Sequence, residues 1–196
     1  NYKKIMKIFD CFMFFDEEMI LDLRFNILDP YVDFFVIVES KYLHNGKARE
    51  LIFDINKYPK FKNKIIYLVF DEIPSKVEDI NDTEDEDIKS WKYTMNAIYR
   101  ENGQRDHILN GLKNSDDDDM IIISDVDEIP NLENVNFNKI HNKIILFKQD
   151  MTYYKFNLRM PNFKWTGTKA CRKKHLITPQ WLRVIKDRKY PFFRLD

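Results

Sequence analysis

A chain of 196 residues is long enough for one domain with a buried core, and a composition of 44% apolar and 33% charged residues excludes a disordered or fibrous polypeptide. No apolar run approaches the roughly 18 residues that a bilayer-spanning helix needs, so no transmembrane segment is expected in this chain. The formal net charge is zero but unevenly held: residues 1–138 carry 17 Lys and Arg against 29 Asp and Glu, and residues 139–196 carry 15 against 3. An acidic two thirds would repel a phosphate backbone, which argues against a nucleic-acid partner. The basic last third points instead to an anionic ligand such as a phosphate, with mutual neutralisation of two surfaces as the alternative.

The first fifteen residues start basic and continue apolar like a secretory leader, yet Asp10 interrupts the run and no small-residue cleavage site follows, so a first core strand is predicted over 7–15. Asp16 is placed to cap a helix that runs to Leu28, with Met19, Ile20, Leu23, Ile27 and Leu28 at helical spacing and Pro30 ending it. Residues 32–40 and 64–70 are continuous apolar runs, the pattern of parallel strands buried on both faces. Residues 71–88 are acidic and unpatterned and read as a solvated loop. Trp91, Met95, Ile98 and Tyr99 predict a helix from about Ser90, and Asn102-Gly103 predicts a break before a second helical piece to Leu112. "MIIIS" (120–124) is the next strand, and "KIILFKQ" a later one that ends before Asp150. This alternation predicts an α/β fold with a mostly parallel sheet, one domain over 1–196. Cys11 and Cys171 read as two buried thiols in a reducing compartment. With a single glycosylation-type triplet at Asn81, the expected location is the cytoplasm or the cytoplasmic face of a membrane.

The stretch "DDDDMIIISDVDEIP" (116–130) sets seven carboxylates around one buried strand. Asp116 to Asp119 precede the strand and read as a solvated turn with no chemistry. Asp125, Asp127 and Glu128 follow it, where ligands bind in open α/β sheets. Two aspartates one residue apart repel unless a cation lies between them, and hard ions such as Mg²⁺ or Mn²⁺ bridge such carboxylates to phosphates. A strand ending in Asp-x-Asp fits a haloacid-dehalogenase-type phosphohydrolase or a nucleotide-sugar glycosyltransferase. The first needs a further acidic pair downstream, and beyond Glu128 only Glu133, Asp150, Asp187 and Asp196 remain, none adjacent.

The chain resembles glycosyltransferase family 17, the β-1,4-mannosyl-glycoprotein N-acetylglucosaminyltransferase family, from about Ile8 to Lys186. The resemblance is carried by "DCFMFFDE" (10–17), "LDLRFNIL" (21–28), "VES" (38–40) with "HNG" (44–46), "ENGQRD" (101–106), "SDVDEIP" (124–130), "WTGT" (165–168) and "LR" (182–183). It implies a GT-A-type, Rossmann-like sheet flanked by helices, and inverting transfer of a sugar from a UDP-sugar, most often UDP-GlcNAc, to a carbohydrate acceptor with a divalent metal, Mn²⁺ or Mg²⁺. Family members continue past the equivalent of Asp196 into a segment containing Trp-His, so this chain is expected to lack the family's C-terminal segment. A relative left inactive but glycan-binding by that loss is the third reading.

Under this resemblance Asp125 and Asp127 are the metal ligands, Asp125 also facing the donor. Glu39, at the end of an early strand, is a candidate for the uracil or ribose. Gln104 and Arg105 are candidates for the donor because they are expected at a helix start, where backbone N–H groups favour anions; a surface salt bridge from Arg105 to Glu101 or Asp106 is the alternative. His44 reads as a loop hydrogen-bonder. Asp150 and Asp187 are the candidate catalytic bases. Trp165 either stacks on a sugar face or sits in the core.

Overall fold

The uninterrupted apolar runs do become strands, and two patterns of side-chain alternation place them in one sheet. The computed structural model describes residues 6–155 and 157–188. In chain order they form β1 (Ile8–Phe14), α1 (Glu18–Leu28), β2 (Phe34–Ser40), β3 (Ile65–Phe70), α2 (Glu86–Asp106), β4 (Met120–Ile123), β5 (Ile144–Leu146), β6 (Gln149–Thr152), β7 (Arg159–Trp165), β8 (Lys169–Arg172) and α3 (Pro179–Val184). The main sheet has the order β3-β2-β1-β4-β8-β5, and β6 and β7 form a separate two-stranded ladder. The contiguous strands β3, β2, β1 and β4 are parallel, whereas β8 is antiparallel to both β4 and β5. This is a mixed α/β, Rossmann-like sheet, as expected.

The sheet carries a hydrophobic cluster on each face. Phe12, Phe14, Phe35, Ile37 and Ile122 pack with Leu21, Phe25 and Leu28 of α1. Phe9, Cys11, Val36, Val38, Ile121 and Ile123 pack with Ile108, Leu112 and Leu182 on the other side. Period-two alternation along β1 sends Phe9 and Cys11 one way and Phe12 and Phe14 the other, which is why these strands read as continuous apolar runs. Both thiols are buried and free, and burial pushes that of Cys171 up to about 12. No helix among the described residues is long and apolar enough to cross a membrane.

Several local expectations are corrected. Helix α1 starts at Glu18 and has no side-chain cap; Asp16 does not supply one. Its buried face is Leu21, Arg24, Phe25 and Leu28, while Met19 is 71% exposed and Leu23 and Ile27 also face solvent. The cause is Arg24, which turns inward to meet Asp10 of β1 and brings the Leu21–Leu28 stripe with it. "KIILFKQ" is not one strand: β5 stays in the main sheet, and the chain then leaves it so that Asp150 lies inside β6. Asp119 is buried rather than solvated, its Oδ1 accepting from Lys7 N at 2.8 Å and its Oδ2 from Asp116 N at 2.8 Å, so it locks the start of β4 to β1.

The expected break at Asn102-Gly103 is absent. Helix α2 is continuous for 21 residues to Asp106, and a 3₁₀ turn, His107–Leu112, follows it. Gly103 serves close approach instead: a Cβ there would lie 2.9 Å from Phe70 Cζ and 3.0 Å from Pro74 Cγ. Alanine in a helix interior gains about 1 kcal/mol over glycine, but overpacking a tight contact costs about 1–3 kcal/mol. Gly103→Ala is therefore expected to lower stability by up to about 2 kcal/mol, measured from urea-unfolding midpoints. A helical glycine with open space around it would give the opposite sign, a gain of about 1 kcal/mol.

Candidate functional site

The order β3-β2-β1-β4 places the chain's reversal between β1 and β4, and ligands of such sheets bind at that switch point beyond the carboxyl ends. A cleft of about 870 Å³ opens there. Phe14 and Phe15 line it from the end of β1, Ser40 and Tyr42 to Asn45 from the end of β2, and Asp125 to Asp127 from the end of β4. Helix α2 closes one side with Glu101, Gln104 and Arg105, and Glu17 and Ile20 border it near α1.

The turn after β4 is held from beneath by Arg24, which is fully buried. Its Nε and Nη2 donate to Asp10 Oδ2 at 2.7 Å and Oδ1 at 2.6 Å, a bidentate pair. The remaining donors go to the turn itself: Nη2 to Ser124 Oγ at 2.5 Å, and Nη1 to the carbonyls of Asp125 and Val126 at 3.0 Å and of Glu128 at 3.3 Å. A guanidinium has five N–H donors in a fixed plane, and here they set the path of residues 124–128.

Above this floor lies a second charged layer. Asp125 Oδ1 accepts from Arg105 Nη2 at 3.0 Å and Oδ2 from Arg183 Nη2 at 2.6 Å. Arg105 also bonds Glu101 at 2.9 Å and Gln180 Oε1 at 2.5 Å. Glu128 accepts from Asp125 N at 3.0 Å, from Arg183 at 2.9 Å and from Trp165 Nε1 at 2.5 Å. Burial by itself would raise the carboxyl of Asp125, but the hydrogen bond and charge of Arg183, with Arg105 behind it, hold it below its ordinary 3.8. Lys169, buried behind the layer with its ammonium on the carbonyls of Gly167 and Arg183, is pushed down to about 8 by burial and by Arg183, against the pull of Glu128 and Asp125.

This placement revises most of the candidate residues. Asp125 and Asp127 both reach the cleft, as expected, but the repulsion that called for a cation is relieved at Asp125 by two arginines. Arg105 is at the end of α2 rather than at a helix start, and is buried rather than on the surface; it contacts Asp125 and Glu101. Gln104 lines the cleft, with its Nε2 donating to Val38 O at 3.0 Å. Glu39 is fully buried and already taken, by Ile52 N at 2.9 Å, Phe53 N at 3.2 Å, Tyr67 Oη at 2.7 Å and Arg49 at 3.1 Å. It braces the loop after β2 rather than facing a ligand. His44 lines the cleft and its carbonyl accepts from Arg100 at 3.1 Å. Asp150 pairs with Lys164 and Arg159 in the β6–β7 hairpin, and Asp187 pairs with Lys148 at 3.0 Å; neither lines the cleft. Trp165 is neither core nor free, being half-exposed and bonded to Glu128.

Sequence reasoning missed Arg24, Arg183 and the role of Glu128. Arg24 and Arg183 were signalled only as letters inside "LDLRFNIL" and "LR". "WTGT" acquires a physical meaning as well: Trp165 donates to Glu128, Thr168 Oγ1 donates to the Glu128 carbonyl at 2.8 Å, and a Cβ on Gly167 would fall 1.8 Å from Glu128 Oε1.

No group of three or more His, Cys, Asp or Glu side chains among the described residues converges to hold a metal. A hard divalent ion is commonly held by one or two carboxylates with phosphates and water completing its shell. Asp127 fits that use: it is exposed, lines the cleft, and its carboxylate makes no hydrogen bond or ion pair among the described residues.

Fold and site together define an α/β protein with an acidic ligand cleft at the carboxyl ends of its parallel strands. The chain belongs to glycosyltransferase family 17, which it matches over residues 1–177. It is 29% identical over 126 residues to the human protein named beta-1,4-mannosyl-glycoprotein 4-beta-N-acetylglucosaminyltransferase, covering 62% of this chain and 21% of that protein. The rat protein of the same name matches equally, and the mouse protein is 28% identical over the same length. The match thus takes in about a fifth of the length of these curated relatives. No solved structure matches the chain.

The Asp125 cluster gives a pH test. Its folded carboxyl titrates below the ordinary 3.8, so through that window the unfolded chain binds more protons and stability falls as pH drops. The stability of the wild type relative to Asp125→Asn is expected to be full above about pH 4 and to shrink by about pH 3, read from urea midpoints. A difference that stays constant over that range would mean that the arginines do not lower the carboxyl.

Proposed function

We propose that the cleft binds a UDP-sugar, and that the protein is a GT-A-type, metal-dependent, inverting glycosyltransferase that moves N-acetylglucosamine from UDP-GlcNAc to a hydroxyl of a carbohydrate acceptor. The observation that carries the reading is the carboxylate of Asp127 in the cleft, unpaired among the described residues, beside an Asp125 that two arginines hold ionised. Asp127 would hold Mn²⁺ or Mg²⁺, which when bound supplies Lewis-acid stabilisation of the departing diphosphate. Arg105, which lines the cleft, and Arg183 hold Asp125 in place, so the site is preorganised and needs no rearrangement as charge develops there. Arg24 keeps the turn from relaxing as charge changes above it. The curated relatives bear the name of an N-acetylglucosaminyltransferase, which supports the donor assignment.

Inversion needs a proton acceptor for the attacking hydroxyl. Asp150 and Asp187 would serve only if the hairpin and its surroundings moved toward the cleft; Glu101 already lines it and is the better placed carboxylate. A phosphohydrolase would need Asp125 free as a nucleophile, and both of its oxygens are engaged.

Calorimetric titration with UDP tests the reading. Binding is expected with Mn²⁺, and is expected to vanish in EDTA or with Asp127→Ala. Asp118→Asn, which breaks only the exposed pair with Lys174, should stay within about 0.5 kcal/mol of wild type. Equal UDP affinity with and without the ion would remove the metal from the proposal.

A further inference from the structure

Strand β7 poses a problem that the donor cleft does not solve. All seven of its residues are exposed, although Met160, Phe163 and Trp165 are large and apolar. The β6–β7 ladder explains how they are sorted. Asp150 lies opposite Lys164 and also pairs with Arg159, so the charged side chains share one face. Lys164 sits between Phe163 and Trp165, so the two rings fall on the other face, stacked 6.4 Å apart at 30°, while Asn162 at φ 62° and a register shift between Asp150 and Thr152 break the alternation and let Arg159 join the charged face. This strip carries no charge of its own. Gln149, directly across the ladder from Trp165, has a buried Oε1 with no hydrogen-bond partner.

The strip is continuous with the site. Trp165 Nε1 donates to Glu128, whose other oxygen accepts from Asp125 N, and the Arg183 guanidinium lies 5.9 Å from the Trp165 ring centre. An exposed apolar strip that begins at the turn after β4, beside the cleft, marks a ligand surface more readily than a chance patch. Flat aromatic faces suit the C–H face of a pyranose.

We infer that the Phe163–Trp165 face of the β6–β7 hairpin is the acceptor platform, holding a neutral oligosaccharide so that its hydroxyl is directed to the cleft. The inference rests on the glycosyl-transfer reading above for what happens to that saccharide, but not for its binding. The strip fixes the acceptor by stacking, and the charged face of the hairpin stays in water.

The test is titration of the full chain with chitotriose, followed by tryptophan fluorescence and calorimetry, alongside UDP with Mn²⁺. Wild type is expected to bind chitotriose in roughly the millimolar range, as a shallow surface does. Phe163→Ser, and Phe163→Leu as the variant that keeps bulk and loses only the ring, are expected to weaken it about three- to tenfold, the scale of one aromatic contact. Tyr154→Ser, at the exposed end of the hairpin, should leave it unchanged, and UDP affinity should stay within about twofold in all variants. No chitotriose binding by wild type, or binding by both Phe163 variants as tight as that of wild type, overturns the platform. So does sedimentation showing that Phe163→Ser dissociates a dimer without affecting saccharide, which would make the strip a contact with a second copy. If UDP fails to bind wild type while chitotriose binds and depends on Phe163, the donor reading falls and the platform stands.

Discussion

The buried pair of Asp10 and Arg24 is the constraint on which the site depends. Burying two such charges costs several kcal/mol each before they attract one another, and apolar residues of similar volume are often no worse for stability. What an apolar pair could not do is what Arg24 does with its spare donors. It spans from β1 to the turn after β4 and engages Ser124 and the carbonyls of Asp125, Val126 and Glu128. A loop that carries Asp125 and Asp127 is thereby fixed from the core side, with its side chains left for the cleft.

The divided charge of the sequence finds its use in the layer above. Asp125 and Glu128 come from the acidic part of the chain, and Arg183 from the basic part, 58 residues away from Asp125. The two regions meet at the site rather than merely balancing over the surface. Near the cleft, Arg105, Arg183 and Lys169 stand against Glu101, Asp125 and Glu128, and Glu17 is held by the backbone N–H groups of Phe15 and Asp16, which leaves the Asp127 carboxylate with neither a cationic partner nor a hydrogen bond among the described residues. A bound cation would complete that balance, and Coulomb attraction in a partly desolvated cleft is stronger than at an open surface.

The parallel strands were legible because burial on both faces writes itself as a continuous apolar run. Asp125 and Asp127 were legible because a strand end is a predictable address for ligand chemistry. The inner face of α1 was not, because Arg24 counts as polar in any periodicity, and only its distant partner Asp10 makes it an inward residue. Gly103 misled in the same way: its meaning lies in Phe70 and Pro74, not in its neighbours along the chain. Glu39 and Glu128 were visible as acids but not as scaffolding, since their roles are set by backbone N–H groups and rings from other segments. The hairpin after β5 was hidden because a half-exposed two-stranded ladder lacks the apolar run that marks a core strand.

Glu128 shows why the turn holds a third acid that faces no ligand. Its carboxylate accepts at once from the backbone of Asp125, the indole of Trp165 and the guanidinium of Arg183, and a carboxylate is the side chain that can receive three donors without presenting one of its own. A glutamine would turn an amide N–H₂ toward one of them and leave two donors facing each other. Through these bonds one side chain ties the turn, the root of the β6–β7 hairpin and α3 into a unit. Gly167 is the condition for it, because any Cβ there would occupy the space of the Glu128 carboxylate. The donor cleft and the aromatic strip are therefore not independent features of the surface: displacement of Glu128 would move both, and a change at the hairpin reaches Asp125 through two hydrogen bonds.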